Sequence, residues 1–245
     1  MDFALIQTSL PALGQGLVMT LGLTAFAVPV GFCIAIPLAL ARLSHHRALA
    51  GFSRAFIYLF RGTPLLIQLY LIYYGLGQFR AALESVALWW FFRDALSCAL
   101  LVLVLNTGAY AGEIFRGAIA GVDAGQIEAA RAAGMSWFVR TRRIVLPQAL
   151  RIAWPAYTNE VVFLMQATSL VSLVTVTELF RSADIIAVRT FKIYTMYLTV
   201  AAIYLMISYA IIFAFGLVER RLMRHLGPAA PGRSIHARAL AILTR

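Results

Sequence analysis

Charge is scarce in this chain of 245 residues: 13% are Asp, Glu, Lys or Arg, about half of the roughly 25% found in soluble domains. With 62% hydrophobic residues and a mean hydropathy of +0.83, a water-facing globule is excluded and a membrane protein is indicated. Lysine is nearly missing, since Lys192 stands alone beside 20 arginines. A phosphate-cradling loop, G-x-x-x-x-G-K-[ST], needs its lysine in a fixed setting. Lys192 lies between Phe191 and Ile193, so no such nucleotide site can be built here. The two cysteines, Cys33 and Cys98, sit inside apolar runs, which suits small buried hydrophobes and supports neither a disulfide nor a metal site. No stretch is polar enough for a separate soluble domain.

What is present is a series of long apolar runs. A bilayer core of about 30 Å needs about 20 helical residues. Five charge-free runs approach that length: residues 17–41, 64–79, 95–112, 161–177 and 193–218. The middle three are short and must extend across boundary groups such as Arg61, Glu113, Asn159 and Glu160. Pro29 and Pro37 predict a kink in the first run. The net charge of +11 bears on sidedness rather than on nucleic acid. Alternate inter-span segments carry fifteen Lys and Arg against five, with Arg61 at a span boundary. The richer set is predicted to be cytoplasmic, which puts the N-terminus outside and the C-terminus inside. Ala39-Leu40-Ala41 resembles a signal-peptide cleavage site, but the positive charge follows the apolar run instead of preceding it, so the run is read as an anchor. His45, His46, His225 and His236 then all fall in cytoplasmic segments without metal-ligand spacing, which argues against a membrane-embedded metalloenzyme.

Between the third and fourth runs lies a hydrophilic stretch of about forty residues, far longer than a connector requires. Asp123 with Gln126 three residues on is a capping-box-like start, residues 127–133 favour helix, and Gly134 supplies a stop. Ser136 can cap a second short helix through Trp137, Phe138, Arg140, Arg142 and Arg143, until Pro147 interrupts it. Glu128-Ala129-Ala130, Gly134 and Ile144-Val145-Leu146-Pro147, at this spacing, resemble the EAA loop of permease subunits in bacterial ATP-binding-cassette importers.

Further motifs extend the resemblance over roughly residues 15–225. Arg61-Gly62-Thr63-Pro64 through Leu69, Leu105-Asn106-Thr107-Gly108-Ala109-Tyr110, Glu113 through Gly117, and Leu146 through Arg151 with Pro155 through Val161 look like polar amino acid permeases, in particular the histidine, lysine, arginine and ornithine branch. The resemblance implies an all-α membrane protein of the type I importer permease fold, with five spans, an outside N-terminus and a cytoplasmic coupling loop. It implies a permease domain over residues 1–226, with its core at about 15–222, in the bacterial inner membrane. The tail 227–245, with its prolines and glycines, reads as disordered.

By the same resemblance the working complex holds two permeases, identical or paired with a sister chain, an ATPase dimer and a periplasmic amino-acid-binding protein. ATP and magnesium would belong to the ATPases, and this chain would bind no cofactor and hydrolyse nothing. Glu128, Ala129, Ala130, Gly134, Ile144, Leu146 and Pro147 are the implied ATPase-coupling residues. The function implied is ATP-driven import of polar, foremost basic, amino acids by alternating access. The alternative is a gradient-driven secondary transporter or channel, for which inverted repeats and a membrane-centre titratable cluster are not evident.

Polar groups within spans face a bundle interior or a water-filled cavity. The candidates for the substrate path are Asn106, Asn159, Glu160, Gln166, Thr168, Ser169 and Ser172. At 100° per residue Asn159, Gln166 and Thr177 share one helix face, with Thr168, Ser172 and Thr175 nearly opposite, so one face lines the path and the other packs against a neighbour. Glu160 either favours a helix start or presents negative potential to a cationic substrate. Many relatives have Lys where Gln166 stands, and its absence suits a cation. Glu113 and Arg116 read as an ion pair at the inner end of the third span. Arg61 is placed near the inner surface, snorkelling beside a helix-start proline.

Overall fold

The computed structural model describes residues 2–223, and over these the chain is helical with no strand. The sequence expectation for the tail 227–245 lies outside the described residues. Helix α1, Phe3–Arg42, runs for 40 residues, about 60 Å, from an N-cap in which Asp2 accepts from the Leu5 N–H. It continues unbroken through Pro11, Pro29 and Pro37. Helix α6, Ala95–Ala120, lies along it in the closest helix pairing of the molecule.

Small residues make that pairing possible. A Cβ on Gly31 would overlap the Thr107 methyl, and one on Gly108 would crowd Ile34 at 3.2 Å. Ala35, Ala39 and Ala111 continue the seam at zero exposure. Without a hydrophobic drive between helices in lipid, such close backbone approach is a main source of helix association.

Three helices are long and apolar enough to cross a bilayer alone: α1, α6 and α11, Ile193–Met223. Two bent pairs pass the same test of length and composition together, which makes up to five candidate crossings among the described residues if each pair is one span. In the first, α2, Arg47–Gly62, meets α3, Leu65–Tyr70, and its π-helical continuation Leu71–Gly75 at 102°. The sequence places this span at 64–79 and leaves α2 in a loop. Arg54 and Arg61 break the apolar run, yet α2 packs Ser53 and Ile57 into the bundle with zero exposure. In the second, α9, Leu146–Ala167, runs into a 3-10 segment, Thr168–Val174, and then at 52° into α10, Leu179–Thr190. The apolar run at 161–177 falls on the second half of α9 and the 3-10 segment.

Pro147 does not end the preceding helix. Helix α8, Trp137–Arg140, passes through a π turn, Thr141–Val145, straight into α9. There Leu146 N–H reaches back five residues to the Thr141 carbonyl, so the ladder skips a bond just where proline cannot donate one.

The middle of α9 is tied to its neighbours by aromatic groups. Trp154 donates to the Phe215 carbonyl of α11 at 3.0 Å and Tyr157 to the Val28 carbonyl of α1 at 3.3 Å. Phe32, Phe115 and Tyr157 meet at ring separations of 5.2 to 5.6 Å. Short helices α4, Arg80–Ser85, and α5, Trp89–Phe92, connect the first bent pair to α6 and bury no residue.

Candidate functional site

The bend between α2 and α3 is where the first quoted motif sits, and a side chain from inside the motif holds it. Breaking a helix within a membrane leaves carbonyls that no water can satisfy. Gln68 reaches back and donates to the Phe60 carbonyl at 2.9 Å, the Thr63 carbonyl at 3.0 Å and the Thr63 hydroxyl at 2.8 Å. Its own oxygen accepts from Asn106 of α6 at 3.2 Å, and Asn106 also reaches the Phe60 carbonyl at 3.3 Å. Asn106 is thus both a wall residue and a brace for the bend.

With the chain turned in this way, Arg61, itself exposed, lies beside α6. Its guanidinium lies 5.1 Å from the ring centre of Tyr110, a residue in the middle of α6. Glu113 and Arg116, at the inner end of the third span, line a cavity together with Arg61.

A cavity of about 530 Å³ opens beside this bend, lined by Arg61, Thr63, Asn106, Tyr110, Glu160 and Phe163 among others. A second, of about 470 Å³, shares Arg61, Tyr110, Glu160 and Phe163 with it and adds Glu113, Arg116 and Asn159. These volumes fall within the usual 300 to 1,000 Å³ of small-molecule sites. Arg116 contacts Glu113 at 2.7 Å through both Nε and a terminal nitrogen, the ion pair that the spacing suggested. The two linings together therefore combine two guanidinium groups, two carboxylates and amides, with aromatic rings among them. Such a surface can hold a small solute that carries both signs of charge.

The seven polar candidates divide among three places. Asn106, Asn159 and Glu160 meet at these cavities. Gln166 and Ser169 instead face a different groove, of about 510 Å³, with Phe180, Tyr197 and Tyr204, and Gln166 donates to Ser208 of α11 at 3.3 Å. Thr168 and Ser172 are buried in packing, and the Thr168 hydroxyl bonds back to the Met165 carbonyl at 2.6 Å. The helical-wheel argument fails beyond Ala167 because the chain there is no longer α-helical: the 3-10 segment ends at Thr175, whose φ is 69°.

One residue the sequence reading passed over is Glu178. It is fully buried and caps α10, accepting from Phe180 and Arg181 N–H groups at 2.8 Å each and from the Tyr204 hydroxyl at 2.9 Å. Thr20 of α1 donates to its carboxylate at 3.5 Å and accepts from the Leu179 N–H at 3.2 Å. A Cβ on Gly16 would collide with Ser182 and the Glu178 carbonyl, so α1 and α10 touch backbone to backbone. The available signal was an acid ending an apolar run two residues before the N–H groups it caps. Gln68 offered less, being one more polar residue in a motif.

The loop between α6 and α9 folds from its caps. Asp123 accepts from Gln126 N–H at 3.1 Å and starts α7, Ala124–Ala132. Gly134 takes φ +74°, Met135 N–H returns to the Ala130 carbonyl at 3.1 Å and Gly134 N–H to the Arg131 carbonyl at 2.9 Å. These are the paired bonds of a Schellman turn, which needs a left-handed residue at that point. Ser136 then caps α8. Glu128 and Ala129 are exposed and Ala130 is buried against the rest of the loop, while Ile144, Leu146 and Pro147 are half-buried at its root. Trp137 and Phe138 are more than 60% exposed at the far side of the turn.

Comparison with known proteins identifies this arrangement. A family described as binding-protein-dependent transport system inner membrane component matches residues 27–224. The nopaline transport system permease protein NocM of Agrobacterium fabrum is 45% identical over 211 residues, covering 86% of this chain and 88% of the relative. The histidine/lysine/arginine/ornithine transport system permease protein HisM of Escherichia coli is 41% identical over 215 residues, covering 88% and 90%. The crystal structure of an amino acid ABC transporter with histidines superposes with a TM-score of 0.79 at 35% identity, covering 90% of this chain and 99% of that one. The MetNI methionine ABC transporter, at 21% identity and a TM-score of 0.67, agrees in fold. The chain belongs to the inner-membrane components of binding-protein-dependent transport systems, as a membrane-spanning permease of the type I importer fold whose ATPase is a separate subunit.

Proposed function

We propose that this chain is the permease subunit of an ATP-driven importer of polar amino acids, foremost basic ones and their conjugates, and that the Arg61 and Glu160 cavities are its substrate path. The carrying observation is that Arg61 and Glu160 line the same cavity. Arg61 offers a partner to a carboxylate and Glu160 one to an ammonium, the two groups every amino acid presents. Relatives named for nopaline, octopine and basic amino acids fit this chemistry. The argument from an absent lysine at Gln166 drops out, because Gln166 faces α11 instead of the cavity. A gradient-driven carrier or channel is not favoured, since the chain's family works with binding proteins.

In this reading the N-terminus is outside and the C-terminus in the cytoplasm. Arg42, Arg47, the arginines of the α7 to α9 loop, Arg220 and Arg221 then share the inner side. The loop from Glu128 to Pro147 docks on an ATPase dimer, which binds the ATP and magnesium and performs the hydrolysis. A second permease, identical or a sister chain, completes the pore, and a periplasmic binding protein delivers the solute. The test is reconstitution with cognate partners. Gly134→Val places a β-branched side chain at φ +74°, and Glu128→Lys inverts an exposed charge. Each is expected to lower uptake at least tenfold while ATP hydrolysis persists, and normal coupled transport in both variants would overturn the loop assignment.

A further inference from the structure

Two departures from regular helix face one another at one end of the larger cavity. The π turn Leu71–Gly75 follows α3, and the 3-10 segment Thr168–Val174 follows α9. Between them runs one side-chain bond: the Tyr74 hydroxyl donates to the Leu173 carbonyl at 3.2 Å, across 99 residues of sequence. Both residues are exposed, Tyr74 by 51% and Leu173 by 44%. Beneath them Leu69, Val171 and Val174 are buried, with Ile72, Tyr73 and Leu170 packed alongside. Leu65 and Leu170, at the inner edge of this seam, are themselves cavity wall. An apolar plug therefore lies between the cavity and the end of the bundle that leads to α4 and α5.

We propose that this seam is the outer gate of the cavity and that the Tyr74 to Leu173 hydrogen bond is its latch. The proposal rests on reading the cavity as the substrate path. Regular α-helix resists a local change of register, whereas π and 3-10 turns bond less well and are common at hinges. The Thr175 left-handed residue isolates the 3-10 segment from α10, so the segment can swing without unwinding the helix beyond it. A single solvent-exposed hydrogen bond is weak enough to open in every cycle and strong enough to bias the closed state. Tyr70 and Tyr73 hold the Tyr74 ring edge-on, at 5.5 and 4.8 Å between centres, and so keep its hydroxyl aimed.

The test uses the assembled transporter in right-side-out proteoliposomes, with Cys33→Ala and Cys98→Ala removing the native thiols and Ala167→Cys reporting from the cavity wall. The probe is a charged, membrane-impermeant methanethiosulfonate. Tyr74→Phe keeps the ring and loses only the hydroxyl, and it is expected to raise labelling from outside about 2- to 10-fold, with Tyr70→Phe changing it less than twofold. Outside labelling that Tyr74→Phe leaves unchanged, while Ala167→Cys reacts from the inside, overturns the gate and leaves the path. No reaction from either side during ATP turnover overturns the path and the gate with it. A second arm joins Tyr74→Cys to Leu173→Cys with a short bis-maleimide. Bridging is expected to lower uptake more than tenfold, and undiminished uptake overturns the latch.

Discussion

Gln68→Met removes the amide that holds the 102° bend and little else, because methionine is unbranched and of similar volume. The native amide has two protons for three acceptors, at 2.8 to 3.0 Å, and its oxygen accepts once from Asn106 at 3.2 Å. Two donated bonds and one accepted bond are therefore lost. Within a membrane bundle a side-chain hydrogen bond contributes about 0.6 to 1 kcal/mol, so three come to about 2 to 3 kcal/mol. The Phe60 carbonyl keeps the Asn106 amide as a donor at 3.3 Å, which favours the lower end of that range. A loss of about 2 kcal/mol shifts the folding equilibrium roughly thirtyfold. Equilibrium unfolding from mixed micelles with increasing dodecyl sulfate reads it directly. Gln68→Glu is the sharper comparison, since it keeps the shape but turns a donor into a second oxygen facing two carbonyls. It should be worse than Gln68→Met. A methionine variant within about 0.5 kcal/mol of the parent, or a glutamate variant milder than the methionine one, would refute the clamp.

Other positions test the remaining supports. Gly31→Ala should cost about 1 to 3 kcal/mol by overpacking against Thr107, and adding Thr107→Ser, which deletes the obstructing methyl, should restore more than half of it in the same unfolding assay. Glu178→Gln turns one carboxylate oxygen into a donor facing donors, and unfolding should show a loss of about 2 to 4 kcal/mol with uptake falling in step. At the start of α6, hydrogen bonds from the Ser97 hydroxyl and N–H, both 2.7 Å, hold the Asp94 carboxyl below its usual 3.8. A depressed folded pKa means that this contribution is present above about pH 3.8 and fades as pH falls further. Asp94→Ala should therefore lower the thermal midpoint at pH 6, by about 1 kcal/mol of cap, and progressively less toward pH 3. An equal gap at both pH values would contradict the cap.

How far the sequence could be read depended on which signal each segment carried. The runs that became α1, α6 and α11 were legible from apolar length alone, although α6 and α11 continue past the run across charged residues and α1 begins earlier, in the uncharged stretch 3–16. The α7 to α8 turn was legible in finer detail, because Asp123, Gly134 and Ser136 act locally: a cap or a left-handed turn is decided by neighbours within a few residues. The α2 crossing was hidden because its lipid-exposed and buried faces are both interrupted by arginine, and only the packing of Ser53 and Ile57 against α1 and α6 shows it. The residues that line the cavities were half legible. Polar identity marked Asn106, Asn159 and Glu160, but nothing in the order of residues said that the helix stops at Ala167, so the faces drawn beyond it pointed the wrong way.

Of the polar side chains that let helices break in this bundle, only Asn106 is one that sequence reasoning assigns to a substrate path. Each interruption exposes backbone groups that lipid cannot satisfy, and in each case a side chain supplies the partner. Gln68 and Asn106 serve the carbonyls at the α2 to α3 bend, Glu178 and Thr20 serve the N–H groups where the fourth crossing turns into α10, and Tyr74 serves the Leu173 carbonyl in the 3-10 segment. The cavity opens beside one of these breaks, and Leu69, Val171 and Val174 pack between the two segments proposed as its gate. A straight-helix bundle of this composition would need none of these polar groups and would have no cavity. The cost of burying Gln68, Asn106 and Glu178 thus follows from the breaks themselves, and on the proposed reading of the cavity residues that never touch a solute are required by transport as much as those that do.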